Sequence, residues 1–121
     1  MGSYESWLAG GGDRGRRQLA VLRLLGLFDR PGDDRCIGAL RRNPVIPGLT
    51  EPLVNLDEAD WNLTVSALSR CGLVAVDGHQ HAIDTHPLIR EYFAQGLRNR
   101  NPETWRTGHR RLYGFLKEST P

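Results

Sequence analysis

The stretch from Asp57 to Phe93 constrains this chain most, because its apolar periodicity changes twice in a short span. Asp57 suits a helix N-cap, and Asp60 three residues on stands in for the carboxylate of a capping box. Trp61, Val65 and Leu68 follow at helical spacing, and Gly72 suits the C-terminal cap. Leu73-Val74-Ala75-Val76 reads as a strand, Asp77-Gly78 as a turn and His81-Ala82-Ile83-Asp84 as the returning strand. His86-Pro87 then restarts a helix, since proline is favoured at the first helical position and makes His86 the cap. Leu88, Ile89, Tyr92 and Phe93 form its inner face. A helix, a tight hairpin and another helix in direct succession leave few architectures open.

The flanks narrow them further. Arg17 to Phe28 is apolar nearly all round, which predicts a deeply buried helix stopped by Asp29-Arg30-Pro31-Gly32. Asp34 can cap a short helix over Arg35 to Arg42, with Cys36, Ile37 and Leu40 inward, ended by Asn43-Pro44. Pro44 to Gly48 is extended or turning, and Pro52 can open a helical turn that sends Leu53 and Leu56 inward. A last helix starts at Asn101-Pro102-Glu103 and repeats Trp105, His109, Leu112 and Leu116 at a helical interval. The expected fold is mainly α: a winged helix-turn-helix with a short two-stranded β-hairpin wing and additional C-terminal helices. Trp61, Leu68, Phe93, Trp105 and Leu112 are its expected core markers. Residues 1–16, with Gly10-Gly11-Gly12 and a Met1-Gly2-Ser3 that resembles a cloning remnant, are expected to be tag and flexible linker. Residues 17–118 are the expected domain.

Composition excludes several classes. A chain of 121 residues with 39% hydrophobic and 25% charged residues has globular composition. It has no apolar run near the ~20 residues of a membrane span. It shows no signal-peptide pattern, which points to the cytoplasm. Cys36 and Cys71 have no neighbours at zinc spacing, so both are expected to be reduced, buried thiols. The net charge is +2, with the first 84 residues acidic and residues 85–121 basic.

The default work of a winged helix is DNA binding through its third helix. Here that helix opens with Asp57, Glu58 and Asp60 against only Arg70, and the hairpin adds Asp77 and Asp84 with no arginine or lysine. Phosphate contacts dominate such affinity, so specific nucleic-acid binding is not expected. Nor is catalysis, because the sequence holds no GxxxxGK[ST] loop, nucleophile elbow or HExxH. His79 and His81 would share a strand face but lack a third metal ligand, so no metal is expected. His109, on the apolar stripe of the last helix, reads as a packed core histidine.

His86 is distinct. It stands where a strand ends and a helix begins, beside the free N–H groups and positive dipole end that suit an anion. Its imidazole can donate to a phosphate. Arg90, one turn on, can assist or pair with Glu91. Plain capping by His86 is the other reading, and local physics favours it.

One combination of segments has a family likeness. It comprises Leu24-Leu25-Gly26-Leu27-Phe28-Asp29-Arg30-Pro31, then Ile46-Pro47-Gly48-Leu49-Thr50, Trp61 and Leu68, then Ile83-Asp84-Thr85-His86-Pro87-Leu88-Ile89-Arg90-Glu91-Tyr92-Phe93, and Trp105 to Leu116. Together they resemble the winged-helix segment of bacterial STAND signalling NTPases, relatives of plant NLR and apoptotic NB-ARC proteins. Asp84 to Phe93 is the most specific piece.

The resemblance implies a non-catalytic regulatory segment that packs on a nucleotide-binding core and on downstream TPR-type helical repeats of a parent protein. There it would help to hold the ADP-bound, autoinhibited state. In NB-ARC relatives a Met-His-Asp motif places its His on the ADP phosphate. Here only His86 matches, with Thr85 in place of the apolar residue and Pro87 in place of the acid, so the implied phosphate-sensing role falls on His86, with Arg90 beside it. The isolated chain needs no cofactor; ADP and ATP belong to the parent, whose Walker segments would lie upstream. A stand-alone winged-helix adaptor that binds DNA or protein is the alternative.

Overall fold

In the computed structural model the described residues are 10, 12–28, 31–42, 45–54, 56–78 and 81–119. Among them are five helices and one small antiparallel sheet. Helix α1 is Gly12–Leu25, strand β1 is Gly32–Asp33, helix α2 is Asp34–Arg41 and helix α3 is Glu58–Arg70. Strands β2 and β3 are Ala75–Asp77 and Ala82–Asp84, followed by α4, Pro87–Arg100, and α5, Pro102–Ser119.

Helix α1 is the hub. Gln18, Leu19, Ala20, Val21, Leu22, Leu24 and Leu25 are all buried, which is what an apolar circumference requires. It packs on α3 and α4, while α5 lies against α2 and α4. It begins five residues earlier than the expected Arg17, so Gly12 to Arg16 of the expected linker are helical. Asp13 in the first turn complements the helix dipole and pairs with Arg16. It also ends before the expected Phe28. The Gly26 N–H reaches both Leu22 and Arg23 carbonyls, and Leu27 and Phe28 close tight turns onto Leu24 and Leu25. Gly26 is required there: a Cβ would lie 2.9 Å from the Ala94 backbone nitrogen, so α1 and α4 touch main chain to main chain.

The expected two-stranded wing is a three-stranded sheet of order β1-β3-β2. Gly32 pairs with Ile83 and Asp33 with Ala82, while Val76 pairs with Ile83 from the other side. Two residues flanked by Pro31 and a helix give no alternation to read, which is why β1 escapes a pattern search. The strand also moves the cap of α2. Asp33 is extended, and its Oδ1 accepts from the Cys36 N–H at 2.9 Å, so Asp33 rather than Asp34 caps the helix. His81, expected in the strand, sits in the turn at φ +51°. Residues 79 and 80 lie outside the described residues.

Helix α3 follows the sequence closely. Asp57 Oδ1 accepts from the Asp60 N–H at 2.8 Å. At the other end Gly72 has φ +76°, and the Leu73 and Gly72 N–H groups bond the Leu68 and Ser69 carbonyls, a Schellman cap. Between α2 and α3, residues 47–54 form a run of turns, with the Val54 N–H bonding the Thr50 carbonyl. Thr50 secures it by accepting the Ile46 N–H at 2.9 Å, and Ile46, Leu49 and Leu53 plug the core. Trp61, Leu68, Phe93 and Leu112 are buried, and Trp105 packs partly buried against them. Cys36 is buried, but Cys71 is exposed at the C-cap of α3, against the expectation of two buried thiols. No helix among the described residues is long and apolar enough to cross a membrane.

Candidate functional site: the corner between β3 and α4

Four consecutive residues turn the chain from strand β3 into helix α4. Asp84 ends the strand, and its Oδ1 accepts the Thr85 N–H at 2.8 Å. Thr85 is buried, and its hydroxyl donates to the Leu73 carbonyl at 2.7 Å, tying the corner to the entrance of β2. His86 has extended geometry and is exposed; Pro87 opens the helix. The His86 Nδ1 accepts the Leu88 N–H at 3.1 Å. With Nδ1 accepting in this way, the donor position is Nε2, which the cap does not use.

The structure brings Arg90 to the same corner. Its guanidinium pairs with the Asp84 carboxylate, not with Glu91, which accepts instead from Arg98 at 2.9 Å and Gln95 at 3.2 Å. The Arg90 side chain is only 17% exposed, and its Nε has no hydrogen-bond partner. The Asp84–Arg90 pair joins residues six apart across an element boundary, a separation that no helix-pattern rule singles out. Charge at the corner is therefore largely balanced, and His86 Nε2–H is the exposed directed donor.

A groove of about 410 Å³ adjoins the corner, with Gly26, Pro87, Arg90, Arg98, Trp105 and His109 among its walls. His109 is half-buried rather than fully packed. It stands between Trp105 and Tyr113, with ring centroids 4.2 and 5.6 Å away. Arg98 lies over Trp105 at 5.2 Å. His79 lies outside the described residues. His81 stands 3.9 Å from Asp34, and no group of three or more metal-ligating side chains occurs among the described residues.

Other chemistry-bearing groups are committed to structure. Burial, with the Asp33 carboxylate beside it, pushes the Cys36 thiol up to about 11, so at neutral pH it is not a nucleophile. Arg111 donates to the Leu40 and Arg42 carbonyls at 3.2 and 2.8 Å and so closes the C-terminal end of α2. Arg41 stacks over Trp61 at 4.0 Å and donates to the Leu56 carbonyl. A scan of protein-family models gave no match, and neither did searches of curated proteins and of solved structures.

Proposed function

We propose that the chain is a regulatory winged-helix segment of a STAND-type signalling NTPase, with α1 to α3 and the sheet as the winged helix and α4 and α5 as its extension. In this reading it does no chemistry. It packs against the nucleotide-binding core of its parent and stabilises the ADP-bound, autoinhibited state. His86, with Arg90 behind it, reads the phosphate. The observation that carries the reading is the exposed His86 at the start of α4: Nδ1 holds the helix end while Nε2 faces outward from the cap. The helix dipole adds partial positive charge at the same place. Arg90 contributes through Asp84, by fixing the corner, rather than as a second free cation.

DNA binding fits less well. Helix α3 presents exposed Asp57 and Glu58 at its start, and the described wing residues add Asp77 and Asp84 with no lysine or arginine. At physiological salt, duplex binding should be weak and nonspecific. The reading is tested first by the coding frame upstream. A GxxxxGK[ST] loop there supports it, and a stop codon immediately upstream removes the nucleotide-binding core that it needs. The isolated chain should bind ADP only weakly, because one imidazole and a helix end lack the glycine cradle, lysine and magnesium ligand of a nucleotide site.

A further inference from the structure

Three arginines gather on a face remote in sequence from the His86 corner. A groove of about 250 Å³ runs between the start of α1 and the outer side of α3, lined by Arg14, Arg17, Asp60, Leu63, Thr64, Ala67 and Arg70. Arg14 and Arg70 are exposed, Arg17 is half-buried, and none of the three forms an ion pair with a described residue. Asp60 is the one acid in the lining. A second groove of about 500 Å³ adjoins the first along α1 and is also walled by Arg17, with Arg16 and Arg23. Its two acids are already engaged: Arg16 pairs with Asp13 and holds that carboxyl below its usual range, and Glu51 accepts the Gly48 N–H at 2.7 Å. The α1–α3 groove itself holds three arginines against the single acid Asp60.

The same groove exposes Leu63, 62% accessible although it sits mid-helix. The basic surface is also short. Asp60 lines it, and Asp57 and Glu58 lie within one helical turn of Asp60 at the start of α3, so a long polyanion that tracked α3 would meet carboxylates. A phosphate backbone has no use for an exposed leucine, whereas an acidic segment bearing an apolar side chain satisfies both features.

We propose that the α1–α3 groove docks a short acidic protein segment, with carboxylates on Arg14, Arg17 and Arg70 and one apolar side chain on Leu63. The inference is independent of the phosphate-reading role of His86. Docking of this kind is electrostatically steered and weakens as salt rises.

The test is fluorescence anisotropy on the chain as it stands, with a labelled peptide of glutamate pairs alternating with leucines, a lysine-for-glutamate version and a duplex DNA. The acidic peptide should bind, the lysine version should not, and Arg17→Glu should weaken binding roughly tenfold or more, as loss of a charge pair worth over ~1.4 kcal/mol requires. The double variant Arg14→Glu/Arg70→Glu, at two exposed positions, should do the same, so the outcome does not depend on Arg17 being dispensable for folding. Arg110→Glu, on α5, should change little. No binding of the acidic peptide, binding indifferent to both variants, or tighter binding of duplex DNA overturns the proposal.

Discussion

The junction of α1 with its neighbouring helices and the corner between β3 and α4 lie a few residues apart in space but are held by different forces. At the junction, Leu24 is fully buried and α1 meets α4 at main-chain distance through Gly26. Shape and apolar area decide everything there. At the corner, an ion pair, a hydroxyl and an imidazole cap fix the path of the chain, and the side chain nearest the helix end is exposed. The buried leucines of the junction therefore have no group left over to recognise anything. The corner keeps one, the Nε2–H of His86, held in place by the Leu88 cap and the Asp84–Arg90 pair. Stability and recognition are separable in this molecule because different residues carry them.

The sharpest way to test that division is to damage the junction. Leu24→Ala should lower unfolding free energy by ~2–5 kcal/mol, read from the shift in urea midpoint, because it leaves a cavity at a fully buried site. Gly26→Ala should cost ~1–3 kcal/mol through overpacking against Ala94, whereas Gly38→Ala, on the exposed side of α2 with nothing within 4 Å of the new Cβ, should stabilise by ~0.5–1 kcal/mol. Opposite signs in thermal melts would show that close approach, not glycine content, sets the junction.

The corner should yield smaller effects. Thr85→Val removes the hydroxyl donor from the part-buried Leu73 carbonyl and should cost ~0.5–1.5 kcal/mol. A neutral result in denaturant unfolding would mean that the corner is not locked as described. The thiols sharpen the contrast between buried and exposed chemistry. At neutral pH an alkylating reagent should label Cys71 and spare Cys36, by mass spectrometry of the folded chain. The folded Cys36 thiol, raised to about 11 from 9.0, contributes stability in full below pH 9 that is lost as pH rises toward 11. Cys36→Ala should remove that alkaline loss.

The sequence reveals much of this, and unevenly. Helices α3 and α4 were legible because each start and end carries its own chemistry: Asp57, Gly72 and His86-Pro87 name their positions before any packing is known. Strand β1 was not, because two residues carry no period, and with it went the true cap of α2, since Asp33 and Asp34 are equivalent until Asp33 is seen paired with Ala82. The start of α1 was missed because glycines at 12 and 15 read as a linker, although Gly15 is buried within the helix. At the candidate site, His86 as a cap followed from the His-Pro pair. The partner of Arg90 did not, because Asp84 lies in another element and only the turn through Thr85 brings the two together.

The central claim is that His86 does more than cap α4, and one comparison tests it most directly: ADP affinity and basal signalling of the full-length parent with and without His86→Ala. A hydrogen bond to a charged phosphate is worth ~1.5–3 kcal/mol. If it forms only in the closed state, its loss should shift the open-to-closed ratio roughly ten- to a hundredfold. The account predicts weaker ADP binding and raised basal activity, with the isolated chain still folded and losing only the ~1 kcal/mol of a missing cap. Unchanged ADP affinity together with a lowered Tm would contradict it and leave His86 as a helix cap alone.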